Sequence, residues 1–221
     1  MSPRPGAGTA VTPGLDVERG TRHLRRKDPV MRELIKRIGK VDPEGRRRGR
    51  PADAYGALLR SIVGQQLSTK AARSIYGRVA GLYGDRTPSP QELLDTDPET
   101  LRGAGLSRAK VEYMRSLAEH VLSGELELDR LDELPDEEVS AELTAVKGLG
   151  QWTADMFLIF HMGRPDVLPV GDLGVRNAAR AVYELKELPT APELTAIAEP
   201  WRPHRSLASL YLWRSLDNEP A

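Results

Sequence analysis

Asp172 stands between Val170-Gly171 and Leu173-Gly174-Val175-Arg176, where a stretch with helical apolar spacing begins. An aspartate at that point can cap the helix, its carboxylate accepting backbone N–H groups of the first turn. The same bonds, with the positive end of the helix dipole, keep a carboxylate ionised, and a fixed negative charge can oppose a positive charge that grows during a reaction. Upstream, Val146-Lys147-Gly148-Leu149-Gly150-Gln151-Trp152-Thr153 sets two glycines two residues apart between two helix-like runs. Glycine removes the Cβ atom and permits positive φ, so a ligand can approach the backbone, and the first N–H groups of the second helix would face a phosphate. Each feature also has a plain structural reading: a helix cap at Asp172 and a tight interhelical turn at the glycines.

Helices must hold these residues, and the rest of the chain reads as helices too. Apolar side chains recur at helical spacing over Pro29–Ile38, over 53–66 (Leu58, Leu59, Ile62, Val63) and, after a capping Ser68, over 69–83 (Ala72, Ile75, Tyr76, Val79). Short helices are predicted near 90–95 and 98–102, longer ones over 107–123, 136–146, 152–160 and 172–185, and a last one through 204–216. The one β-like run, Asp166-Val167-Leu168-Pro169-Val170, is broken by its proline. The predicted class is all-α.

Composition narrows the chemistry. The 221 residues are 39% hydrophobic and 29% charged, as in a soluble globular protein. No apolar run approaches the roughly 20 residues of a membrane span. The absence of cysteine removes disulfides, thiolate nucleophiles, zinc-thiolate sites and iron–sulfur clusters from consideration. The four histidines show no paired metal-ligand spacing. Net charge is +0, but twelve Lys and Arg lie between Arg22 and Arg50 and ten Asp and Glu between Glu119 and Glu142. That split suits one face for a polyanion and one for water, or simply two solvated faces. Residues 1–25, rich in Pro and Gly at their start and lacking an apolar signal core, read as a disordered leader, which makes the cytoplasm the expected location.

Taken together, "LTAVKGLGQWTADMF", "LPVGDLGVRNA" and "WRPHRSLASLYLWR" closely resemble the helix-hairpin-helix DNA glycosylase superfamily, in its alkylpurine branch, the DNA-3-methyladenine glycosylase II group. "SIVGQQLSTKAA" and "GLSRAKVEYMRSLA" fit as well, so the likeness runs over about residues 30 to 217. Lys147 departs from a position where members often carry proline, and a compact form without the β-rich N-terminal domain of some members is expected. The resemblance implies two helical lobes with an active-site cleft between them, one of about 26–70 plus 170–221 and one of about 71–169, within a domain spanning 26–221. It implies Asp172 as the catalytic aspartate, with Trp152, Trp213, Tyr211 and Met156 as candidate walls of a pocket for an extruded base. Backbone amides of Gly148, Gly150 and Thr153 would bind a DNA phosphate, and Gln65, Gln66 and Leu67 lie in the loop that wedges into DNA. Gln66 matches the inserted residue, while Leu67 is the more apolar wedge, and the choice between them stays open. Carbonyls of Thr144, Val146 and Leu149 match a site for a monovalent cation, Na+ or K+, and the chemistry needs no cofactor. Trp152 stands where strand-cleaving relatives place a lysine nucleophile, which implies a monofunctional enzyme. Trp201 is expected to be structural. The implied partner is damaged double-stranded DNA, bound by a monomer away from membranes, with an alkylated purine released to leave an abasic site. Hypoxanthine or ethenoadenine as the lesion, and a noncatalytic DNA-binding protein, are the alternatives.

Overall fold

The computed structural model describes residues 14–43, 45 and 51–216, and no strand occurs among them. The helices in chain order are α1 (Val17–Lys27), α2 (Pro29–Ile38), α3 (Ala54–Gly64), α4 (Thr69–Gly81), α5 (Pro90–Asp95), α6 (Pro98–Gly103), α7 (Arg108–Ser123), α8 (Asp136–Ala145), α9 (Gln151–Phe157), α10 (Leu173–Val182), α11 (Ala191–Ala198) and α12 (Arg205–Leu216). Short 3-10 turns fill Leu128–Glu133 and Glu199–Trp201, and α9 runs on as a π turn over Leu158–Met162.

Most helices begin where a polar side chain satisfies the otherwise unpaired N–H groups of the first turn. Asp28, Asp53, Ser68, Asp97, Ser107 and Asp172 each accept such a bond, and Ser89 with Glu92 and Thr190 with Glu193 form reciprocal capping boxes. Helices α8 and α9 lack a side-chain cap and start from Pro135 and Gly150.

Two sets of helices pack among themselves. In one, α2 meets α1 and α12, α12 meets α10, and the Glu199–Trp201 turn meets α1 and α11. In the other, α3 meets α4, α7 and α9, while α7 also carries α5 and α6 and α9 meets α8. This corrects the expected lobe boundary near residue 70: α3 belongs with the middle of the chain, because its apolar face, Leu58, Leu59, Ile62 and Val63, is fully buried in that set.

The expected leader is corrected as well. Residues 17–27 form α1, capped by Asp16 and anchored through buried Leu24, although its apolar stripe is too narrow to stand out among seven charged or histidine side chains. Residues 1–13 lie outside the described residues, as do Arg46, Arg47, Arg48 and Arg50, the densest part of the basic cluster.

Candidate active site

Asp172 precedes α10 with its own amide bonded to the Pro169 carbonyl at 2.9 Å, in a turn that leads into the helix. Its Oδ1 accepts the Val175 N–H at 2.8 Å and the Trp213 Nε1–H at 2.8 Å. Its Oδ2 accepts the Trp152 Nε1–H at 2.7 Å. The cap foreseen in the sequence is therefore one of three N–H donors, and the other two are indoles from α9 and α12. A carboxylate offers about four lone-pair sites, so three donors hold it firmly and leave it able to accept once more. Gly174 makes this possible: a Cβ there would lie 3.0 Å from Asp172 Oδ1 and 3.2 Å from the Trp213 ring. Gly174 carries its own signal in the sequence, its place two residues after the carboxylate.

The two indoles differ in surroundings. Trp152 is 42% exposed, an unusual state for so large an apolar surface, whereas Trp213 is half-buried and stacks on Phe160 with ring centroids 5.7 Å apart. Leu173, beside Asp172, is 60% exposed, a second apolar surface at the same place that the sequence reading did not single out. Met156 is buried on α9. Tyr211 is not part of the site: it is 1% exposed, and its hydroxyl pairs with that of Thr21 on α1 at 3.0 Å. Two residues along a helix are about 200° apart, so Trp213 and Tyr211 face opposite ways. Trp201 is fully buried, as expected of a structural residue.

The hairpin between α8 and α9 separates the roles of its glycines. Gly148 has φ +93°, and a Cβ there would overlap the Tyr113 ring, 2.1 Å from its Cγ, so only glycine fits. Gly150 has an ordinary φ of −99° and open space where a Cβ would be. Gly148 serves the turn, and Gly150 leaves the start of α9 open. The Thr153 amide already donates to the Gly150 carbonyl at 2.9 Å and its side chain is buried, so that amide is engaged within the chain rather than presented outward. Val146 and Leu149 are buried, and the Val146 carbonyl accepts the Leu149 N–H at 3.0 Å. Thr144 is exposed, its hydroxyl turned back to the Ser140 carbonyl at 2.7 Å. Among the described residues no group of His, Asp and Glu is arranged to hold a metal ion.

Beyond α3 the chain turns through Gln65, Gln66 and Leu67. Gln65 points inward, its Nε2–H donating to the Gly148 carbonyl at 2.8 Å, which removes it from the candidates for insertion into DNA. Gln66 holds φ +58° and Leu67 follows it, both exposed at the tip.

Asp155, one turn along α9 from Trp152, was not anticipated. It is 5% exposed, and burial, with the Asp172 charge adding to it, pushes its carboxyl up to about 6 against the opposing hydrogen bond from Gln151 at 2.9 Å. It borders a polar cavity of about 590 Å³ shared with Ser140, Thr144, Gln151, Val170 and Arg205.

Known proteins are similar to this chain over most of its length. DNA-3-methyladenine glycosylase 1 of Schizosaccharomyces pombe is 34% identical over 195 residues, 87% of this chain and 85% of the relative. DNA-3-methyladenine glycosylase 2 of Escherichia coli is 28% identical over 193 residues, 83% of this chain and 65% of the relative. The solved structure of the S. pombe glycosylase in complex with abasic DNA superposes with a TM-score of 0.81 at 32% identity, covering 90% of this chain and 97% of that one. A DNA-3-methyladenine glycosidase from Bacillus halodurans gives 0.78 at 38% identity, with 90% and 89% covered. Residues 59–203 match the family model described as HhH-GPD superfamily base excision DNA repair protein. With the all-helical fold and the glycine hairpin beside Asp172, the chain belongs to the HhH-GPD superfamily of base excision DNA repair proteins.

Proposed function

We propose that this protein is a monofunctional DNA glycosylase that extrudes purines alkylated at N3 or N7 from duplex DNA and hydrolyses their bond to the sugar. The observation that carries the reading is the Asp172 carboxylate, held by three N–H donors beside exposed Trp152 and Leu173. Extruding a base costs a few kcal/mol, less where damage has weakened its stacking or pairing. A purine alkylated at N3 or N7 is already cationic and leaves with the electron pair of the C1′–N bond without needing a proton. Positive charge then grows on the sugar. Asp172 stabilises that oxocarbenium-like centre electrostatically while a water oxygen bonds to C1′ and releases its proton to solvent.

Trp213, backed by Phe160, and exposed Trp152 supply faces for stacking a cationic base, with a cation–π contribution besides area burial. The open backbone at Gly150 suits a DNA phosphate, which positions the duplex without reading its sequence. Carbonyl oxygens of Thr144, Val146 and Leu149 are hard donors suited to Na+ or K+. The Val146 carbonyl, which already accepts one N–H, retains a lone pair for the ion. Such an ion would supply positive charge facing the phosphate, and base hydrolysis needs no cofactor. With tryptophan at 152 there is no amine for a Schiff base, so strand cleavage is not expected. A monomer suffices for all of these steps.

Incubation of the protein with methylated duplex DNA, followed by chromatography of the free bases, tests the reading. Release of 3-methyladenine and 7-methylguanine, with no borohydride-trapped covalent adduct, is expected. Tight DNA binding without release would instead make the chain a noncatalytic DNA-binding member, and a trapped adduct would contradict the monofunctional assignment.

A further inference from the structure

The turn at the end of α3 and the hairpin before α9 are far apart in sequence yet share one support. The Lys110 ammonium on α7 donates to the Val63 carbonyl at 2.7 Å and to the Gln65 carbonyl at 2.8 Å, closing the C-terminal end of α3 where carbonyls lack helix partners. The Gln65 amide then reaches across to the Gly148 carbonyl at 2.8 Å. One turn along α7, Tyr113 occupies the space above Gly148 that a Cβ would need. Residues three apart on a helix share a face, so a single turn of α7 holds the exposed tip Gln66-Leu67 through Lys110 and the hairpin through Tyr113. The Lys110 bonds close the end of α3, while the Gln65 side chain bonds outside that helix and ties the turn to the hairpin.

We propose that Lys110 and Gln65 are positioning residues for nucleotide extrusion: they fix the Gln66-Leu67 tip at a set distance from the hairpin, so that the wedge enters the duplex in register with the nucleotide whose phosphate the hairpin holds. This rests on the glycosylase reading above. Neither residue touches the reacting atoms; both act through the placement of the tip. A turn that drifts by an ångström against the hairpin still leaves Asp172 and its three donors intact, so the chemistry survives while the coupling of phosphate capture to wedging is lost.

The test compares single-turnover release of 7-methylguanine from a fully paired duplex with release from a one-nucleotide bulge, where the base is already unpaired and little wedging is needed. Lys110→Met and Gln65→Met keep side-chain length while removing the donors. The proposal predicts a loss on the paired duplex of about tenfold to a hundredfold and of less than about threefold on the bulge. Equal losses on both substrates would show that these residues only support the fold, and an unchanged duplex rate would show that the bridge does not matter; either overturns the proposal. Should Lys110→Met not fold, Gln65→Met leaves the α3 carbonyls capped and gives the same comparison. Wild-type protein that releases base from neither substrate overturns the glycosylase reading and this proposal with it, whereas wild-type release with no selective loss in the variants overturns this proposal alone.

Discussion

Two aspartates in this molecule are built from the same parts and lead to different ends. Asp28 caps α2 with Oδ1, which accepts the Val30 and Met31 amides at 2.9 and 3.1 Å, and its Oδ2 accepts the Trp201 indole at 2.8 Å and the Tyr183 hydroxyl. Asp172 caps α10 with Oδ1 and takes two indoles, Trp213 and Trp152. Asp28 is 6% exposed and its four donors match the roughly four lone-pair sites of a carboxylate. Burial and the neighbouring carboxylate push the Tyr183 hydroxyl well up, so it keeps its proton and remains a donor. Asp172 has one donor fewer and lies half-buried beside exposed apolar surface. A fully satisfied buried carboxylate ties helices together; one held by three donors beside exposed apolar surface keeps capacity for one further partner.

The comparison can be broken or sharpened by substitution. Asp172→Asn, which retains a good N-cap and turns its amide nitrogen toward only the exposed Trp152 indole, is expected to lower base release about 100- to 1000-fold with little change in melting temperature. For Asp28→Asn the pattern inverts: an amide nitrogen would face two donors, which is expected to cost about 2–4 kcal/mol of stability in denaturant unfolding. Release per folded molecule should then stay at the wild-type rate. Replacing either indole at the site by phenylalanine removes one N–H donor to Asp172 and keeps an aromatic face. Release by Trp213→Phe is therefore expected to fall about tenfold, equivalent to the loss of one hydrogen bond to a charged group.

The smallest effect concerns the carboxyl next to the site. The folded form raises Asp155 from the ordinary 3.8 to about 6, so it holds its proton more tightly than the unfolded chain does. Its penalty is therefore absent at low pH and develops as pH rises from about 4 through about 6. Asp155→Asn, which can still accept the Gln151 hydrogen bond, is expected to raise stability by about 1–2 kcal/mol at pH 7.5 and to leave it unchanged at pH 4. A stabilisation of equal size at both pH values would remove Asp155 ionisation from the account.

Helix positions were largely legible because apolar spacing and capping residues agree: Pro29–Ile38 lies where the sequence predicts it, and Ser68 and Asp172 cap the helices expected of them. Helix α11 has no counterpart in the sequence expectations, although Thr190 and Glu193 spell its capping box and Pro192 sits in its first turn. In α1 the charged residues masked buried Leu24, and besides the adjacent α2 that helix packs on the Glu199–Trp201 turn and α12, far along the chain. Around Asp172 the helix cap was legible, because it follows from one residue's place before a helix, whereas the two indole donors were not, because contact decides them. Nothing local tells Tyr211 from Trp213, which differ by the helix face they occupy. Likewise Gln65 and Gln66 are identical neighbours, and only the Gly148 carbonyl, 83 residues away, draws one of them inward.

The central claim is that Asp172 opposes positive charge on the sugar, and transition-state mimicry tests it most directly. Duplexes carrying a cationic pyrrolidine or a neutral tetrahydrofuran in place of the damaged nucleoside differ chiefly in that charge. The wild-type protein is expected to bind the cationic duplex at least about 100-fold tighter, and Asp172→Asn to bind both nearly alike. Equal affinities in the wild type, or a cationic preference that survives in Asp172→Asn, would contradict the account.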